Sequence, residues 1–140
     1  MVARANQFDR PLNLVVTGEV EGWLPALEQI VGPRWLIARK VNSDSELLDV
    51  VRRRAVDAAV LDEEAPWSID LLQLLRMVRR LDQELPVVML TARSDRRWLE
   101  TALALTAFSV VAKPLALEEL LRQIQRIAFR LDRMLRERLP

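Results

Sequence analysis

Three short segments hold most of the chemistry available to this chain. Asp62 ends the apolar run in "AVLDEEAP", followed at once by Glu63 and Glu64. Thr91 and Ala92 close "PVVMLTA", and Lys113 and Pro114 close "AFSVVAKP". A carboxylate can act as a nucleophile toward a phosphoryl group. The group in transfer needs hydroxyl and cationic donors for its oxygens, and usually a divalent metal. Asp62 supplies a carboxylate, Thr91 a hydroxyl and Lys113 a cation. Lys113 also stands out by type, because Lys40 and Lys113 are the only lysines among 21 cationic residues. Lysine is a compact charge on a flexible stem, whereas arginine is a rigid planar fork, so a retained lysine suggests a role for that shape. Pro114 stiffens the backbone beside it.

Composition removes the competing chemistries. The chain has 140 residues, the size of one domain with its own core. It has no cysteine and no histidine, which excludes disulfides, thiol catalysis, Ser-His-Asp triads and most zinc sites. A net charge of +1 provides no global field for nucleic acid. The N-terminal "MVARANQFDRP" lacks the apolar segment of a signal peptide, and no apolar run approaches the roughly 18 residues of a membrane span. The expectation is a soluble, cytoplasmic protein.

The elements that must position these residues can be read from periodicity. "LNLVV" (12–16), "RWLIARKV" (34–41), "DAAVL" (57–61), "PVVML" (86–90) and "AFSVV" (107–111) read as strands. Helix-period segments fall between them, at 21–31, from "SDSE" (43–46) to Arg52-Arg53-Arg54, after Ser68, at 94–105 and from Leu115 onward. Ser43 and Glu46 have capping-box spacing, and Ser68 is placed to cap the third helix. The arginine cluster reads as a solvated helix end, where cations suit the negative pole. Crossovers of about 20–25 residues are those of right-handed βαβ units. The fold class is therefore α/β: a doubly wound, five-stranded parallel sheet of the flavodoxin-like (βα)5 type. Ligands in such sheets bind beyond the carboxyl ends of the strands, which is where Asp62, Thr91 and Lys113 fall.

With those residues in place, the sequence resembles the receiver domain of two-component response regulators over about residues 12–130. The matching motifs are Asp62 with Pro66 after the third strand, Thr91-Ala92 after the fourth and Lys113-Pro114 after the fifth. The resemblance implies that Asp62 accepts phosphate from a histidine kinase or phosphotransfer protein. It also implies that Thr91 and Ala92 bind the phosphate and that Lys113 bridges to it. Two features depart from the pattern. The acidic pair that holds Mg²⁺ in receivers is replaced by Thr17 and Gly18, with Glu19 displaced by a residue. The remaining metal candidates are Asp62, Glu64 and Glu19, so Mg²⁺ binding is expected to be weak or absent. Val110 stands where receivers often carry a switch aromatic.

Two versions of the function follow: a receiver phosphorylated on Asp62, or a pseudo-receiver that serves as a dimerisation or docking module without phosphorylation. A haloacid-dehalogenase-like phosphatase also uses Asp, Thr and Lys, but its motif is Asp-x-Asp where this chain has Asp62-x-Glu64. No enzymatic activity is expected, nor direct nucleic-acid binding. Without phosphate, Lys113 should pair with Asp62, and Glu63 should be a solvated turn acid. Trp67 and Trp98 should lie near the active face. Leu117, Leu121, Ile124, Ala128, Leu131 and Leu135, widened by Leu120, Ile127 and Met134, form an apolar stripe on the last helix. The expected organisation is a leader (1–11), a receiver domain (12–130) and an extension of the last helix (131–140). That extension suggests a homodimer, through the last helix or the face of the fourth and fifth units, or a C-terminal output domain outside this chain.

Overall fold

All five apolar runs form strands of one parallel sheet: β1 (Leu12–Val16), β2 (Leu36–Lys40), β3 (Ala58–Asp62), β4 (Val87–Thr91) and β5 (Ser109–Ala112). The computed structural model describes residues 10–138, with side chains as far as Asp132. Most of the expected leader, and the Met134 and Leu135 side chains of the apolar stripe, lie outside the described residues. The strand order is β2-β1-β3-β4-β5, the doubly wound arrangement expected from the sequence. The helices are α1 (Leu24–Val31), α2 (Asp44–Arg52), α3 (Leu71–Leu81), α4 (Arg96–Ala104) and α5 (Leu117–Arg138).

Two cores form because the central strands are covered on both faces. Ala59, Leu61, Val87 and Met89 face a core with α2, α3 and α4. Ala58, Val60, Val88 and Leu90 face a second core with the helical residues Leu27, Leu120, Ile124 and Ile127. β3 and β4 are buried along their whole length, so they read as unbroken apolar runs. β2 lies at the edge and alternates, with Ile37 and Arg39 exposed. Among the described residues no helix is long and apolar enough to cross a membrane.

Local chemistry sets the element ends. Ser43 caps α2 by accepting a hydrogen bond from the Glu46 N–H at 3.1 Å, as the capping-box spacing implies. The first helix starts later than its apolar pattern: a 3₁₀ turn (Val20–Gly22) precedes α1, and Pro25 sits in the first turn. Ser68 does not cap α3. Asp70 is the N-cap residue, and the Ser68 hydroxyl instead donates to Asp44 Oδ2 at 2.5 Å, joining the α3 entrance to α2. At the opposite end of the sheet, Arg10 grips Asp57 through two guanidinium nitrogens at 2.7 Å each, and the Asn13 N–H adds a bond of 2.8 Å. Burial pushes the Asp57 carboxyl up, but these donors outweigh it and hold the group below its ordinary range.

Candidate functional site

Asp62 and Thr91 are the last residues of β3 and β4, and Lys113 follows β5 directly. Parallel pairing therefore brings all three to the same edge of the sheet. Asp62 pairs with Leu90 and Thr91 with Ala112, and the Lys113 N–H donates to the Thr91 carbonyl at 2.9 Å.

Asp62 is 5% exposed. Both side-chain hydrogen bonds described for it fall on Oδ1, from Lys113 Nζ at 2.6 Å and from the Glu64 N–H at 2.9 Å. The Lys113 ammonium also lies 3.1 Å from Glu64 Oε2, so it bridges two carboxylates. Burial lowers the lysine pKa, but its bonds to Asp62 and Glu64 raise it by more, leaving it above its ordinary value. Behind the carboxylate, the Trp67 indole N–H donates to the Asp62 carbonyl at 2.8 Å. The cleft in front has a volume of about 400 Å³ and is lined by Glu19, Trp23, Asp62, Glu64, Lys113 and Leu117 among others.

The residues that replace the expected acidic pair are built into the backbone around Asp62. Thr17 is fully buried. Its hydroxyl accepts from the Asp62 N–H at 2.9 Å and donates to the Val60 carbonyl at 3.2 Å, tying β1 to β3. Gly18 has φ +84°, and a Cβ there would stand 2.8 Å from Asp62 Cβ and 3.0 Å from Oδ2. Position 18 therefore has no room for a side chain while Asp62 stays in place. Glu19 and Glu64 do reach the cleft, but both are exposed at its rim. Among the described residues, no three acidic side chains converge at metal-ligating distances. Mg²⁺ takes near-octahedral oxygen ligands, commonly from one or two carboxylates. Here the buried carboxylate already holds an ammonium, its rim partner Glu64 is on the same ammonium, and the neighbouring β1 positions offer none. The set Asp62, Glu64 and Glu19 does not fit the metal.

Thr91 is placed differently from the sequence expectation. Successive strand residues point to opposite faces of the sheet. Asp62 shares its parity with Ala58 and Val60, on the α1 and α5 side. Glu63 and Thr91 share theirs with Leu61 and Met89, on the α3 and α4 side. The Glu63 N–H also extends the ladder to the Leu90 carbonyl at 3.0 Å, which sets Glu63 beside Thr91. The Thr91 hydroxyl donates to Glu63 Oε1 at 2.6 Å and accepts from the Arg93 N–H at 2.9 Å. Arg93 Nη1 lies 3.6 Å from Glu63 Oε2. Glu63 is thus a partner of Thr91 and not the free turn acid expected from the sequence. Strand parity is the one signal in the sequence that could have found it. Ala92 is exposed in the following loop, and neither it nor Thr91 lines the cleft. Val110 is half-buried and packs on the core of α2–α4. Trp98 is buried on α4 with the Arg93 guanidinium 5.4 Å from its ring centroid, so both Trp67 and Trp98 adjoin this edge.

Comparison with known proteins converges on one family. A model of the response regulator receiver domain matches residues 21–125, beginning just past β1, where the acidic pair is missing. The response regulator MprA of Mycobacterium leprae is 38% identical over 84 residues, which is 60% of this chain and 36% of that protein. The chain thus spans about a third of the length of the curated relatives it matches. A response-regulator crystal structure from Chloroflexus aurantiacus superposes with a TM-score of 0.69 at 27% identity, covering 86% of this chain and 99% of that one. The receiver domain of the sensor histidine kinase PA1611 from Pseudomonas aeruginosa, solved with magnesium in its active-site cleft, gives 0.69 at 20% identity, covering 85% and 98%. At that identity the likeness speaks to the fold alone.

Proposed function

The chain belongs to the response regulator receiver domain family, and from that premise we propose that it is a pseudo-receiver, preset in one conformation and regulating by protein–protein contact. The observation that carries this reading is the surroundings of Asp62. Thr17 and Gly18 stand in place of the metal-binding acids. One is spent on a backbone tie, and the other has no space for a side chain. Receiver domains in general bind Mg²⁺ in the active site, and phosphoryl transfer depends on such a cation to neutralise the developing charge. Nothing in this reading requires a catalytic reaction from the chain. The receiver unit would span residues 12–130.

A second reading is favoured by the pairing of Lys113 Nζ with Asp62 Oδ1 at 2.6 Å. It keeps Asp62 as phosphoacceptor, with Thr91, Ala92 and Lys113 as phosphate ligands. The phosphoryl group would leave a partner's phosphohistidine, breaking a P–N bond and forming a P–O bond to the Asp62 carboxylate. A histidine kinase or phosphotransfer protein is the partner in that version.

Incubation with Mg²⁺ and beryllofluoride or acetyl phosphate separates the two, read by intact mass and tryptophan fluorescence. The pseudo-receiver reading expects no adduct and no fluorescence change. An adduct on the wild type that is lost in Asp62→Ala would overturn it. Contact with a second copy, through α5 or the α4–β5 face, and with an output domain outside this chain belongs to either reading. Leu103 on α4 and Phe129 on α5 are each more than half exposed and are the apolar residues such a contact would use.

A further inference from the structure

We propose that Glu63 is a built-in anionic ligand for Thr91, occupying the hydroxyl that a phosphoryl group would need and thereby fixing the loop between β4 and α4. A threonine hydroxyl has one proton to donate. Here that proton goes to Glu63 Oε1 at 2.6 Å, a length proper to a charge-assisted O–H···O⁻ bond. The Thr91 hydroxyl cannot serve Glu63 and a phosphoryl oxygen together.

The acceptor contact of the same hydroxyl carries the effect onward. Thr91 Oγ1 accepts from the Arg93 N–H at 2.9 Å, closing the first turn of the loop. The Arg93 side chain returns to the same carboxylate, 3.6 Å from Glu63 Oε2, and also lies 3.7 Å from Asp95 Oδ1. Asp95 caps α4 by accepting from the Trp98 N–H at 3.1 Å, and Arg93 covers the Trp98 ring. One carboxylate therefore orients a hydroxyl, a loop amide and a guanidinium that lead into the first turn of α4. Three other charged groups at this edge, Asp62, Glu64 and Lys113, are engaged with one another on the opposite parity, and Glu19 stands at the rim of the cleft on that side. The Glu63 side chain is about a quarter exposed, so solvent screens it only in part.

The proposal deepens the pseudo-receiver reading and rests on its premise of a preset conformation. Its test contains neither metal nor phosphoryl donor, so either can fail without the other. Amide hydrogen exchange of the loop and first α4 turn, residues 92–99, is compared in wild type, Glu63→Ala, Glu63→Gln, Thr91→Val and the Glu63→Ala/Thr91→Val double variant. Protection in β1 and α2 serves as the folding control. Loss of a charge-assisted hydrogen bond should speed exchange in 92–99 by about tenfold in Glu63→Ala. Thr91→Val should match it, the double variant should add little, and Glu63→Gln should fall between wild type and Glu63→Ala. Unchanged exchange in Glu63→Ala, or effects that simply add in the double variant, would overturn the proposal.

Discussion

Lys113 shows what one residue type contributes at this site. Its ammonium lies between the buried Asp62 carboxylate and the exposed Glu64 carboxylate, at 2.6 and 3.1 Å. Removing it leaves Asp62 buried with only the Glu64 amide on Oδ1. Lys113→Met should therefore lower stability by about 1–2 kcal/mol at neutral pH, toward the low end because the lysine is partly solvated. The Asp62→Asn/Lys113→Met pair should lose less than the sum of the single changes. The lysine pKa is raised on folding. A raised cation contributes fully below its unfolded value and ceases to contribute as pH climbs through its folded value. The deficit of Lys113→Met should therefore be flat through the neutral range and shrink only at alkaline pH, beyond the ordinary lysine value. Urea midpoints of the three variants and the wild type across that range measure both effects. The types and positions of Asp62 and Lys113 were legible in the sequence, and so was their pairing. The role of Glu63 was not read there, because a turn acid one residue past a strand end looks solvated until its cross-strand neighbour is known.

Among the elements, the junction after β1 is the most constrained. The turn requires φ +84° at Gly18, and the Asp62 side chain lies against the space a Cβ would take. Both strain and overlap oppose any substitution there. Gly18→Ala should cost about 1–3 kcal/mol in a denaturant titration. It should also weaken the bond between Asp62 and Lys113, visible as a changed response of nearby Trp67, whose indole N–H holds the Asp62 carbonyl. A stability equal to wild type would show that the turn relaxes freely. Restoring an acid at position 18 alone should fail to create a metal site, because the same overlap displaces the carboxylate meant to share the ion. The existence and order of every strand and helix followed from apolar periodicity. The ends shifted by one to three residues where chemistry outside the pattern intervened, as at Pro25 in α1 and Asp70 before α3.

At the scale of the whole molecule, α5 lays Leu120, Ile124 and Ile127 on the sheet, with Leu117, Leu121 and Leu131 packed beside them. That face of the apolar stripe is used by the domain itself as far as Leu131. Phe129 on α5 and Leu103 on α4 remain outside either core. If they form the contact between copies, sedimentation equilibrium should show association that rises with concentration, and Leu103→Glu with Phe129→Glu should weaken it by about tenfold or more. A single monomer mass throughout would exclude that contact. By itself, the sequence determined the (βα)5 fold, the sheet edge that carries the chemistry, and the presence of Thr17 and Gly18 after β1. Apolar spacing and residue type are local properties, and they suffice for those conclusions. Only the tertiary structure decided the other meetings: Thr91 with Glu63, the Thr17 hydroxyl with the Asp62 N–H, and Gly18 against Asp62. Those partners belong to different strands, and the sheet register that aligns them is set by the packing of both cores together.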